Sequence, residues 1–166
     1  MRRCVLAVLM VVLGNLALAQ GYKLHSVYVY GFTRYVEWPA DYSQGDFEIL
    51  VLGDSPIIDQ LKEMATAKKV GDRSIKVTRI NSPAEIKKCN ILFVPAAQSA
   101  QFAAVLTKTA AQSTLIITEE PGLGAKGSDI NFITKDGKLA FELNQAAASK
   151  HNLKISNALM GMAILI

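Results

Sequence analysis

The apolar positions of this chain follow two different periods. Between Tyr22 and Val36, Leu24, Val27, Tyr28, Gly31 and Tyr35 recur at helical spacing, and Phe32 and Val36 widen the stripe. The spacing predicts a helix over Tyr22 to Val36. It ends at Glu37-Trp38-Pro39, because the residue before a proline is pushed out of the helical region. Phe47 to Leu52 is a short apolar strand, and Gly53-Asp54-Ser55-Pro56 then supplies a turn, a cap and a first-turn proline for a helix through Ala67. Past a turn at Gly71-Asp72, Ile75 to Ile80 alternates like a strand with one solvated face. Asn81-Ser82-Pro83 opens a brief helix to Lys88. Asn90 to Val94 is apolar enough for a central strand, Ser99 to Ala110 is helical, and Thr114 to Thr118 is another buried strand. Alternating strands and helices predict a three-layer, Rossmann-like α/β sandwich with right-handed crossovers.

The last third changes character. Asp136-Gly137 is the strongest short hairpin signal. Counting outward places Lys135 opposite Lys138, Ile133 opposite Ala140, Phe132 opposite Phe141, Asn131 opposite Glu142 and Ile130 opposite Leu143. One face then carries Ile130, Phe132, Leu139, Phe141 and Leu143 and must be buried; Asn131, Lys135, Lys138 and Glu142 take the other. A slip of one residue would turn every apolar side chain outward. The hairpin is expected to extend the sheet at its edge. A helix start follows at Asn144 to Lys150, and Leu153 to Ile166 is read as a short strand or turn before a closing amphipathic helix.

The N-terminus has a pattern of its own. Met1-Arg2-Arg3 is basic, Cys4 to Leu13 is an apolar run, and Ala17-Leu18-Ala19 is a small-x-small site. This is the arrangement of a secretory signal peptide. The run is shorter than the roughly 20 residues that span a bilayer. Cleavage after Ala19 would leave a single domain, residues 20–166, in the periplasm and not inserted in the membrane. Losing Arg2 and Arg3 lowers the formal charge from +4 to +2, too little to argue for nucleic acid or an anionic membrane. Cys89 is then the one remaining cysteine of two, so no intrachain disulfide can form. It is either a buried hydrophobe or an interchain partner.

Candidate chemistry is sparse. His25 and His151 stand far apart, and no paired Cys/His spacing indicates a metal. Pro121 to Gly127 is glycine-rich, but a strand rather than a helix follows, and the phosphate-loop pattern is missing. A connector or flap fits it better. Glu119 and Glu120 are adjacent in an extended segment and point apart. Asn131 and Glu142, paired across the hairpin, are either a ligand anchor or a structural hydrogen bond. Trp38, with Phe32, Tyr35 and Tyr42, is either a binding surface or the plug of a small core. No catalytic residue and no cofactor is assigned.

Several landmarks occur in order: Gly31 to Pro39, with Tyr35, Glu37, Trp38 and Pro39 at its end; Ile49 to Asp54; Cys89 to Val94; Ile130-Asn131-Phe132; Phe141-Glu142-Leu143-Asn144; and Leu153 to Ser156. Together they resemble the YfiR-like family of small periplasmic proteins, over essentially the whole mature chain. The resemblance implies a non-enzymatic regulator, typically a dimer. The best-known type binds the periplasmic part of a membrane-anchored diguanylate cyclase and keeps cyclic-di-GMP and biofilm formation low; others accompany sensor kinases or outer-membrane proteins. Some relatives carry extra cysteines in disulfides, and here only Cys89 matches.

A protein partner calls for an apolar patch with aliphatic or aromatic anchors. The Trp38 region and the closing helix are the places expected to carry it. Leu159, Met160 and Met162 give that helix more apolar surface than one buried stripe needs, although full burial is the alternative. The competing function is a periplasmic small-molecule sensor, working with a histidine kinase or transporter, with its pocket at the strand ends near Asp54, Pro95 and Glu119.

Overall fold

A computed structural model describes residues 21–166. The expected signal peptide and its cleavage point lie outside the described residues. Helix α1 occupies residues 21–35 and passes into a two-residue strand, β1 (Val36–Glu37). Then come β2 (Phe47–Leu52), α2 (Ile57–Ala67), the short β3 (Lys69–Val70), β4 (Arg73–Ile80) and β5 (Ile91–Val94). They are followed by α3 (Phe102–Thr109), β6 (Leu115–Thr118), β7 (Ile130–Lys135), β8 (Lys138–Leu143) and α4 (Gln145–Lys150). The chain closes with β9 (Lys154–Ile155), α5 (Asn157–Met162) and β10 (Ile164–Leu165).

Eight strands form one sheet in the order β10-β8-β7-β6-β5-β2-β4-β3. The central strands β4, β2, β5, β6 and β7 are parallel. Strand alternation sorts the apolar side chains onto two faces. Phe47, Ile49, Val51, Ile91, Phe93, Leu115 and Ile117 meet α1, α2 and Leu159 of α5 in one core. Leu50, Leu52, Leu92, Val94 and Ile116 meet Phe102 and Val105 of α3, with Ile86, Cys89 and Leu123, in the other. This is the three-layer, Rossmann-like α/β sandwich that the pattern predicts. At the end of β2 the chain turns through Gly53, whose φ is +72° and where a Cβ would run into the Gln98 side chain. The turn leads directly into α2.

The hairpin register matches the counted one pair for pair, from Lys135 opposite Lys138 to Ile130 opposite Leu143. Asp136 and Gly137 both take positive φ, 51° and 73°, as a two-residue turn of this kind requires. Its place in the sheet differs from the simplest expectation. β7 adds parallel to β6, β8 returns antiparallel, and β10 covers β8 in parallel, so the hairpin is not the edge.

Three local expectations fail for physical reasons. The segment after Pro83 makes one 3-10 turn, Pro83–Glu85, and then leaves helical geometry at Ile86 to place Ile86 and Cys89 in the second core. The closing helix is only six residues long. It ends at Ala163, and Ile164–Leu165 pair with the open edge of β8, which would otherwise keep unpaired backbone groups.

The third concerns the face of α1. Val29, Phe32 and Val36 are buried, flanked by Ser26 and Thr33, while Leu24 and Val27 stand in solvent. Helix α1 thus carries two apolar stripes. The core takes the one interrupted by polar residues. Ser26 and Thr33 are buried at little cost because their hydroxyls donate to the helix's own carbonyls, at Lys23 (2.8 Å) and Tyr30 (2.7 Å).

Candidate functional site

The second stripe of α1 forms one wall of an open apolar groove of about 300 Å³. Leu24, Val27, Tyr28, Gly31 and Tyr35 line that wall, and Met162 at the end of α5 stands opposite. Phe32, Phe141 and Leu159, all buried, form the floor. No lining residue is charged. The floor is an interlocked aromatic set: Tyr28 meets Phe132 and Phe141 edge-on at 6.0 and 5.8 Å, and Phe32 meets Phe141 at 5.1 Å. Gly31 widens the groove, since a Cβ there would meet nothing within 4 Å.

Exposure singles out the same place for all but Ile166, which lies on the other sheet face beside Gly124 and Asn131. Among the described residues the large exposed hydrophobic side chains are Leu24 (47%), Val27 (60%), Met162 (55%), Leu165 (51%) and Ile166 (47%). All lie on α1 or in the last five residues. By register, Leu165 stands on the sheet face of Leu143, the face that carries α1, and so continues the patch.

The structure distributes the residues named from sequence as follows. Leu159 is 1% exposed and belongs to the groove floor, Met160 is half-buried against the core, and Met162 stands at the rim. Tyr35 is half-buried on the groove wall. Trp38 is buried; its Nε1 donates to the Asn90 carbonyl (3.0 Å) and its ring meets Phe47 edge-on. Tyr42 is buried beside it, and its hydroxyl accepts the Ser113 N–H, so this aromatic group plugs the core at the strand start. Glu37 pairs with Lys154 in water (2.9 Å), and Pro39 opens a 3-10 turn.

Asn131 is fully buried. Its Oδ1 accepts the Thr118 hydroxyl (2.6 Å) and its Nδ2 donates to Glu142 (2.9 Å). Phe132 and Phe141 are buried in the aromatic set. Asn144 caps α4 by accepting the Ala147 N–H and donates to the Gly124 carbonyl. The turn at 121–127 is closed by its own backbone: Leu123 donates to the Glu120 carbonyl, Lys126 and Ser128 to that of Leu123, and Gly127 to that of Gly124. Leu123 anchors it in the second core, so the segment is a packed turn, and a strand rather than a helix follows it.

Sequence reasoning missed two features. Sequence spacing merges Leu24, Val27, Tyr28, Gly31 and Tyr35 with Phe32 and Val36 into one wide stripe, whereas the structure buries Phe32 and Val36 and leaves Leu24 and Val27 exposed; the width of the stripe was the available signal. The other is a buried pair, Asp129 and His151, at 2.8 Å. Asp129 also accepts the Ile116 N–H (2.6 Å). Burial raises its carboxyl pKa, and the His151 contact opposes that shift. The pair ties β6 and β7 to α4. Cys89 is buried, 3.7 Å from the Thr114 hydroxyl, and desolvation pushes its thiol up to about 12, so it is a packed and unreactive side chain. Among the described residues no three His, Cys, Asp or Glu side chains gather as a metal site would need, and no helix is long and apolar enough to cross a membrane.

The fold and the groove define a Rossmann-like α/β sandwich with an apolar groove open beside its first helix. The chain belongs to the YfiR/HmsC-like family, whose model matches residues 22–164. No curated protein sequence matches it.

Proposed function

We propose that this protein is an exported, non-enzymatic regulator. It acts in the periplasm after cleavage behind Ala19. There it binds the periplasmic part of a membrane-anchored signalling protein, a diguanylate cyclase, and so holds cyclic-di-GMP and biofilm formation down. Family membership supports the regulatory role. The observation that carries the binding role is the clustering of exposed apolar side chains on α1 and the chain end. An apolar patch rimmed by polar surface is the usual mark of a protein-docking site, and Tyr28, Val27 and Met162 are suitable anchors. Of the family-motif residues, Tyr35 and Phe141 line the groove, whereas Trp38, Pro39, Asn131 and Asn144 lie away from it and hold the fold. Homodimerisation is part of the proposal and is tested by sedimentation of the wild type.

The test is genetic and quantitative. Deleting the gene, in a strain that expresses its neighbouring signalling genes, should raise cyclic-di-GMP and surface attachment. The wild-type gene should restore both, whereas Val27→Asp and Met162→Asp should not, although both proteins are exported at normal levels. An unchanged cyclic-di-GMP level after deletion sinks the cyclase assignment, and full complementation by both variants sinks the groove.

A further inference from the structure

The other flank of α1 borders a second cavity, about 700 Å³, at the carboxyl ends of β5, β6 and β7. Open α/β sheets bind ligands at this end of their strands. Its walls are chiefly apolar, with Phe132 and Leu139 from the hairpin and Pro121 from the turn after β6. Its polar side chains are Tyr22, His25, Glu119 and Thr134. Glu119 Oε1 accepts the Tyr22 hydroxyl (2.9 Å) and the Ala96 N–H (3.1 Å). These two bonds hold the carboxylate at the cavity wall, and Oε2 makes no hydrogen bond among the described residues.

His25 Nδ1 lies 3.0 Å from the Gly21 carbonyl. A carbonyl only accepts, so Nδ1 carries the hydrogen, and Nε2 of the neutral ring is left as an acceptor. The His25 ring meets Phe132 edge-on at 4.6 Å and Tyr22 at 5.0 Å. Among the described residues the lining contains no lysine or arginine, and the Tyr22 hydroxyl already donates to Glu119. Burial and the neighbouring carboxylate push that phenol up to about 12, so it stays a donor at physiological pH. An anionic ligand would face the Glu119 carboxylate with no lysine or arginine beside it among the described lining residues. A cation with N–H donors would find a carboxylate oxygen, an imidazole acceptor and aromatic rings at one place.

We infer that this cleft binds a small organic cation, a primary amine on an aromatic or apolar body. The ammonium sits on Glu119 and His25, and the body lies against Phe132 and Leu139. The site goes beyond the regulator proposal and does not depend on the groove.

Titration calorimetry on the protein purified from the periplasm tests it with three probes of one shape: phenethylamine, 2-phenylethanol and phenylacetate. Phenethylamine should bind saturably and at least about tenfold more tightly than the alcohol, and phenylacetate should give no binding. Glu119→Gln keeps an oxygen for Tyr22 and Ala96 but loses the charge. It should weaken the amine at least about tenfold with an unchanged unfolding midpoint. His25→Leu should weaken it severalfold, and Val27→Asp, on the groove, should leave it unchanged. Absent amine binding, equal affinity for amine and alcohol, or wild-type affinity in both Glu119→Gln and His25→Leu overturns the inference. Because no partner enters this titration, its failure leaves the docking groove untouched.

Discussion

Helices α1 and α2 lie on the same side of the sheet and send apolar side chains into the same core, Val29 and Phe32 from one and Ile57, Ile58 and Leu61 from the other. Their outer faces differ. α2 turns Asp59, Lys62 and Glu63 to water, the ordinary solution for a surface helix. α1 turns Leu24 and Val27 to water, with Tyr28, Gly31 and Tyr35 half-buried between them. The core needs one stripe per helix, and α1 has two. An apolar face that the fold leaves unused weakens solubility, so its presence points to a requirement outside folding.

The largest effect expected from this comparison is on the inner faces, where the helices are alike. Phe32→Ala and Leu61→Ala should each destabilise by about 3–5 kcal/mol in urea unfolding, because both side chains are fully packed. A cost below about 1 kcal/mol for Phe32→Ala would mean that α1 is not held by its inner stripe. Next comes Gly31, where the outer face of α1 has room. Gly31→Ala should stabilise by about 1 kcal/mol through helix propensity, as nothing lies near the added methyl. Gly31→Phe should fill the groove and, under the proposed function, abolish repression while the protein stays folded.

Smaller still, Leu24→Ala and Val27→Ala should shift stability by less than about 0.5 kcal/mol, since both side chains are already in water. A large loss in either would show that the outer stripe is structural. The last effect is electrostatic and confined to alkaline pH. The Tyr22 phenol is raised from 10 to about 12 by burial first and by Glu119 second. A folded-state pKa above the unfolded one gives a contribution that is whole below pH 10 and lost as pH rises towards 12. Comparing Tyr22→Phe with wild type, the stability difference should shrink across that window, and the spectroscopic titration of the variant should lack the late-ionising tyrosine.

Much of the fold was legible in the chain because it follows from short-range rules. Asp136-Gly137 sets the hairpin turn, and period-two alternation sets its register. Gly53 and Pro56 bracket the entry to α2, and Asn144 and Ser156 cap the helices that follow them. The site was legible only in part. Met162 was marked by an excess of apolar surface. Its wall on α1 was hidden, because hydrophobicity alone favours Leu24 and Val27 for the core. That ranking ignores how Ser26 and Thr33 satisfy their hydroxyls inside the helix. Trp38, for which sequence leaned to a core plug over a binding surface, is placed in the core by its bond to Asn90 and its contact with Phe47. Glu119 stood out as one of two adjacent carboxylates; its bonds to Tyr22 and Ala96 join residues distant in the chain.

The sequence by itself determined the main helices and strands, their order and the pairing within the hairpin, because periodicity, capping and turn chemistry act over a few residues. Tertiary structure alone decided which stripe of α1 faces the sheet, that the hairpin joins β6 in parallel, and that the last residues pair with β8 instead of extending a helix. Those outcomes depend on which surfaces and backbone edges remain open after the rest of the chain has packed. No local pattern carries that information.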